Sequence, residues 1–364
     1  MKKLFLCTFC FFTLFISGCG ESGSNQSTKT NIVNKNNTTI PKERLVTDPY
    51  FYQQWYLEDN ITFYKQNDID KNASIHFGKS YRYTGKGVKI AIIDNGLDVT
   101  HPDLKGRIVR TYDISTNSSV VSNDSIDGYH GTAVTGIIAA DANSIGIKGI
   151  ASGSKIMFLK YKKYMSDSET IELFRKAQEF GADIINCSWG TYNVSPAVKE
   201  EIQDLAKNGR NGKGTIIVFA AGNDDQYMGN DESAIPGVIA VGSTNKYNLR
   251  AWYSNYGKHL DVVAPGGYYI GITTLDDMGD NGAGSLVKGY LLANDPNAFM
   301  GTSAAAPIVS GVIALMLEKN PNMTRAEVEE ALKNKSDKIG KIDYVNGFNN
   351  YYGYGKIDAS MLLK

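Results

Sequence analysis

An aspartate, a histidine and a serine, each set among small or apolar neighbours, follow one another as Asp94 in Ile-Ala-Ile-Ile-Asp-Asn-Gly, His130 in His-Gly-Thr-Ala-Val and Ser303 in Gly-Thr-Ser-Ala-Ala-Ala-Pro. These are the side chains of a charge-relay serine hydrolase. A serine hydroxyl is a weak nucleophile near neutral pH, so it needs an imidazole to take its proton and a buried carboxylate to hold that imidazole in one tautomer. Singly, each residue has an ordinary use as a helix cap, a structural histidine or a turn serine. Those uses give no joint reason for the glycines and small residues around all three, and His130 is one of only four histidines.

Such chemistry needs rigid elements that end at one place. Apolar runs predict strands over Val88–Asp94, Lys155–Lys160, Asp183–Cys187, Thr215–Ala220 and Val238–Gly242. Amphipathic or small-residue stretches predict helices over His130–Ala140, Ser168–Phe180, Ser195–Lys207, Thr302–Lys319 and Thr324–Asn334. Their alternation predicts an α/β fold, a mostly parallel central sheet with helices on both faces. Asp94 then ends a buried strand, His130 and Ser303 each open a helix, and the site gathers at the carboxyl ends of the strands.

The order Asp, His, Ser differs from that of chymotrypsin-like enzymes and of α/β-hydrolases, and Ser303 lacks a Gly-x-Ser-x-Gly elbow. It resembles the subtilases. Asp94-Asn95-Gly96 with His101-Pro102-Asp103-Leu104, then His130-Gly131-Thr132, Ala221-Gly222-Asn223 and Gly301-Thr302-Ser303 to Pro307 stand in that family's order. The resemblance runs over residues 47–364 and implies a subtilisin-like three-layer domain with endopeptidase activity. It also gives Asn223, which follows the strand at Thr215–Ala220, the part of donating its amide to the oxyanion beside the Ser303 backbone N–H. Ser188, Trp189 and Gly190 would form a substrate edge that pairs with an extended peptide. Trp189 reads equally as a core residue or as the wall of an apolar subsite. The loop from Asp141 to Ile147 resembles the subtilase calcium loop, with Asn143 offering its side chain and Asp141, Ile145 and Ile147 their carbonyls. Asp48 and Asp103 would complete that structural calcium site, and no catalytic cofactor is expected.

Within the family, the opening Thr47-Asp48-Pro49-Tyr50 through Leu57, Ser188-Trp189-Gly190 and Tyr352-Gly353-Tyr354-Gly355 resemble the kexin and furin-like proprotein convertases. Those enzymes cut after paired basic residues because carboxylates line their pockets. Here Asn95 stands where they carry a second Asp, Thr191-Tyr192-Asn193-Val194 stand where acids follow Ser-Trp-Gly, and the sequence ends at Lys364 without their following β-rich domain. Asp224, Asp225, Asp231 and Glu232 do follow Asn223, although surface loops carry acids routinely.

Lys2 and Lys3 precede an apolar stretch from Leu4 to Ile16, long enough for a secretory signal and too short to span a bilayer. Ile16-Ser17-Gly18-Cys19 resembles a bacterial lipobox, so residues 1–18 read as a lipoprotein signal peptide and Cys19 as the lipidated residue. Residues 19–46 are rich in Ser, Asn, Thr and Lys and read as a tether, which as a flexible coil reaches roughly 30 Å. This stretch is too short for the inhibitory propeptide that subtilases often carry. Of four cysteines, only Cys187 remains beyond the leader and the lipid site, which makes it a small buried thiol. With 38 basic and 38 acidic residues and no basic stripe, nucleic-acid binding has no support. The expectation is a monomeric, lipid-anchored serine endopeptidase on the periplasmic or extracellular face of a membrane, acting on proteins or peptides. Its rival is a catalytically silent subtilase serving as a peptide-binding adaptor lipoprotein.

Overall fold

The computed structural model describes residues 48–364 apart from 58–59, 124–127 and 281, all within the compact unit Arg44–Lys364. The signal peptide over 1–18, Cys19 and the tether over 19–46 lie outside the described residues.

Seven strands form one sheet: β1 (Lys89–Asp94), β2 (Ile108–Asp113), β3 (Lys155–Lys160), β4 (Ile184–Cys187), β5 (Ile216–Ala220), β6 (Val238–Thr244) and β7 (Val262–Pro265). Their order is β2-β3-β1-β4-β5-β6-β7 and every neighbouring pair is parallel. Strands buried on both faces read as unbroken apolar runs, which is why β1, β3, β4, β5 and β6 are found within two residues of the predicted bounds. The two strands of this sheet that sequence patterning missed are its two edges. β2 carries exposed Val109 and Arg110 in its middle, and β7 has only four residues and ends in Pro265. Pro and charged residues are what an edge tolerates and a central strand does not.

The sheet has one apolar layer on each side because successive side chains point to opposite faces. Ile90 and Ile92 of β1, Phe158 of β3 and Val218 of β5 face one way, into a cluster that holds Val134, Ile137, Val309 and Ile313. Ala91, Ile93, Leu159 and Phe219 face the other way, into a cluster that holds Leu173 and Phe174, Ile202 and Leu205. After α1 (Ile61–Asn67), the first of these layers receives α2 (Tyr129–Ala139) and α5 (Thr302–Lys319). The second receives α3 (Asp167–Glu179) and α4 (Pro196–Asn208), and the chain ends with α6 (Arg325–Lys335) and α7 (Ala359–Leu362). Helices on both faces of a parallel sheet give the three-layer α/β architecture expected.

Helix starts follow side-chain chemistry. Ser166 caps α3 through a reciprocal box with Glu169, and Thr324 caps α6 with Glu327 in the same way. The α3 helix therefore begins one residue earlier than the expected Ser168. The helix α5 is buried continuously from Thr302 to Leu317. It is long and apolar enough to pass as a membrane span, yet 89% of its apolar window lies inside the protein.

Candidate active site

Asp94 is the last residue of β1 and is fully buried. Its Oδ1 accepts the backbone N–H of Asn95 at 2.8 Å and stands 2.9 Å from Nδ1 of His130. His130 lies in the first turn of α2, which presses against the end of β1: a Cβ on Gly131 would fall 2.2 Å from the Gly96 carbonyl. Only glycine allows that approach, so the small residue beside the histidine is a packing requirement. The imidazole stands edge-on to Phe299 with ring centroids 5.3 Å apart, four residues ahead of Ser303.

Ser303 occupies the first turn of α5 and is buried apart from about a tenth of its surface. Its hydroxyl donates to the Ser188 carbonyl at 2.9 Å, and the Ser188 hydroxyl donates back to the Ser303 carbonyl at 3.0 Å. That carbonyl is available for a local reason. The residue four positions on is Pro307, which has no N–H to donate to it. The same ties continue inward, since Asn186 of β4 donates to the Ser188 hydroxyl at 3.1 Å and accepts from Ser310 of α5 at 2.8 Å. A chain of polar contacts thus fixes the head of α5 to the end of β4. Sequence reasoning missed Asn186 and Ser310; their one signal is a polar residue in an otherwise apolar strand or helix.

Asn223 is held by its carbonyl side. Its Oδ1 accepts both the backbone N–H and the hydroxyl of Thr302 at 2.9 Å, and the side chain lines the cleft with Ser303. The Thr302 hydroxyl also accepts from the Gly222 N–H at 3.2 Å, so two loops are joined at this point. Ser188, Gly190, Asn223 and Ser303 line one cavity of about 230 Å³. Trp189 is half-buried and serves two roles at once. Its indole N–H donates to the Ile93 carbonyl at 2.9 Å and its ring packs edge-on to Phe219, while another side lines a neighbouring cavity of about 470 Å³ with Met165, Val194 and Val198. Cys187 is fully buried, and burial pushes its thiol well above the ordinary range, which leaves it inert.

The residues of the expected calcium loop also meet. Asp48 Oδ1 accepts the N–H groups of Asn143 at 3.1 Å and Ser144 at 2.9 Å, and Asp103 Oδ2 accepts from Ile147 at 3.2 Å. Asp103 is fully buried, and its Oδ1 has no hydrogen-bond partner. Burial, with the Asp48 charge adding to it, pushes the Asp103 carboxyl up to about 6, and burial raises Asp48 as well. Two carboxylates whose ionisation burial makes costly, one with an oxygen that has no hydrogen-bond partner, suit a hard cation. The Asp141 carboxylate turns toward Arg107 instead, at 4.0 Å, and its N–H donates to the Asp103 carbonyl at 2.7 Å.

Residues 85–355 match the model of the subtilase family, Peptidase_S8. A calcium-dependent protease of Nostoc sp. is 34% identical over 338 residues, covering 85% of this chain and 50% of that protein. A dibasic-processing endoprotease of Yarrowia lipolytica is 30% identical over 353 residues, covering 89% of this chain and 34% of that protein. The solved structure of a protease from Pseudoalteromonas arctica superposes with a TM-score of 0.68 at 26% identity, covering 87% of this chain and 98% of that one. This chain therefore spans half the length of the Nostoc relative and a third of the Yarrowia one.

Proposed function

The chain belongs to the subtilase family, and from that membership we propose that it is a serine endopeptidase working through Asp94, His130 and Ser303 by way of an acyl-enzyme. The observation that carries this reading is the 2.9 Å contact between His130 and a fully buried Asp94, at the head of a helix that packs beside the one bearing Ser303. In this mechanism Asp94 keeps Nδ1 of His130 protonated, which leaves Nε2 to take the proton of the Ser303 hydroxyl. A peptide laid along Ser188-Trp189-Gly190 needs the Ser188 carbonyl as an acceptor for its own N–H. Its arrival would displace the Ser303 hydroxyl from that carbonyl, so that substrate binding itself frees the nucleophile to turn toward His130. The amide of Asn223, aimed by Thr302, and the N–H of Ser303 then receive the negative oxygen of the tetrahedral intermediate. His130 returns its proton to the leaving amine, and water resolves the ester.

The Asp48, Asp103 and Asn143 side chains, with carbonyls of Asp141, Ile145 and Ile147, would hold a structural calcium ion. Such an ion would supply charge compensation to the buried Asp48 and Asp103 carboxylates. The name of the Nostoc relative supports this assignment. The leader over 1–18 and the lipobox cysteine support export and anchoring through lipid on Cys19, with residues 19–46 as tether and 47–364 as the catalytic domain.

The test is digestion of a mixed peptide library by the full chain in calcium, beside Ser303→Ala, with cut sites read by mass spectrometry. Cuts made by the native chain and lost in the variant are expected. Binding of peptides without cuts in either would contradict the reading and favour the silent adaptor.

A further inference from the structure

Outside the cleft, rings and aliphatic side chains form a band on the surface. Tyr52, Ile61, Tyr247, Leu249, Trp252 and Tyr269 are each between 39% and 68% exposed. Single apolar residues are ordinary on a protein surface, but these are joined to one another. The Tyr52 ring meets Phe63 of α1 edge-on with centroids 6.0 Å apart, and Ile61 opens the same helix. The far end of α1 is tied to the next segment, since Lys246 Nζ donates to the Asn67 carbonyl at 2.7 Å and the Tyr247 hydroxyl to the Asp68 carboxylate at 3.1 Å. From Tyr247 the rings run on to Tyr269 at 5.7 Å, from there to Tyr268 at 4.1 Å, and from Tyr268 to Trp252 at 6.1 Å. Beside Tyr268 the band reaches the margin of the Ser303 cleft, where a Cβ on Gly267 would lie 3.0 Å from the side chain of exposed Met300.

We propose that this band seats the catalytic domain on the surface of a lipid bilayer, with its rings at the depth of the headgroups. This rests on the anchoring through Cys19 proposed above. Tyrosine and tryptophan suit that zone because each joins an apolar body to one polar group, and Ile61 and Leu249 supply aliphatic surface between them. The tether identifies the occupant. It covers residues 19–46 and leads to Asp48, the first described residue, and Tyr52 follows four residues on, no more than about 14 Å away even along a fully extended chain. A tether that reaches roughly 30 Å holds the domain against the bilayer, at an effective concentration on the order of millimolar. Contact too weak to hold a free protein is then enough. The lipid alone would leave the domain free to turn, whereas the band fixes which face meets the membrane and brings the Met300 margin of the cleft nearest to it. Lys65, Lys71 and Lys246 lie among Asp68 and Asp70, so the band has no strong charge of its own and its hold is apolar and insensitive to salt.

The experiment places the full chain, processed and lipidated, on vesicles of equal parts phosphatidylethanolamine and phosphatidylglycerol, with or without bromine near the headgroup end of the acyl chains. Flotation reports attachment, and quenching of tryptophan emission by the brominated lipid reports contact. Trp55 is fully buried and Trp189 half-buried, so exposed Trp252 is the ring that lipid can reach, and Trp252→Phe identifies its share of the emission. The native chain should float, lose the Trp252 share of its emission to brominated lipid, and keep that loss at raised salt. Ile61→Ser combined with Tyr269→Ser, shown to be folded by circular dichroism, should float as well but keep its emission. A native chain that floats with Trp252 unquenched would overturn this inference and leave the anchoring reading standing. Equal quenching in the folded double variant would overturn the part given to the band. A native chain that does not float would remove the anchoring reading, and this inference with it.

Discussion

At the scale of single residues, Asn223 is the most instructive. An amide side chain can present either end, and here both Thr302 donors take the oxygen, which fixes the side chain at the cleft before any substrate arrives. That preorganisation is what makes an oxyanion donor effective. Asn223→Ala should lower kcat by ~100- to 1000-fold with little change in KM, as read from initial rates on a fixed peptide. An unchanged kcat would remove Asn223 from the mechanism. The sequence made Asp94, His130, Asn223 and Ser303 legible as candidates because each stands in a short motif and the motifs follow one another in subtilase order. Asn186 and Ser310 were not legible. They lie 124 positions apart, and one polar residue in an apolar run carries no sign of its partner until the fold brings β4 and α5 together.

Among the elements, the central strands and long helices followed from periodicity, while β2 and β7 did not: exposed Val109 and Arg110 dilute the pattern of β2, and β7, though buried throughout, has only four residues and ends in Pro265. The short α1 and α7 escaped for a related reason: four to seven residues are too few to display a helical period. The last of these is docked by a polar contact. Asp358 caps α7 by accepting the Met361 N–H at 2.9 Å, and its other oxygen meets His76 Nδ1 at 3.0 Å, with Asp337 at 3.7 Å. The hydrogen bond to Asp358 raises His76 above its ordinary value, despite burial and the Lys356 charge acting the other way. A histidine raised on folding adds stability that is complete below its unfolded value, about 6.5, and is lost as pH climbs through the higher folded value. His76→Gln should therefore lower the melting temperature more at about pH 6 than at about pH 8, as followed by circular dichroism. An equal loss at both would show that the imidazole contributes shape and not charge.

For the whole molecule, a parallel sheet delivers Asp94, Ser188 and Asn223 to its carboxyl edge, while the helices on one face deliver His130 and Ser303 at their first turns. The loop that follows α2 returns to Asp48 and Asp103, so the proposed calcium ion would brace the same helix that carries the histidine. A ligand that binds only the folded chain stabilises it by mass action, and saturating calcium should raise the melting temperature by ~5 °C or more over chelator. Asp103→Asn should abolish most of that difference, and coincident melting curves of the native chain would count against the site. In the proposed mechanism His130 and Asp94 activate Ser303. Its most direct test is reaction of the full chain, in calcium, with a fluorophosphonate, followed by peptide mass spectrometry to locate the adduct. A single adduct on Ser303, formed by the native chain and lost in a folded His130→Ala variant, is the predicted result. An unlabelled folded chain, or labelling of Ser303 that proceeds as fast without His130, would contradict it.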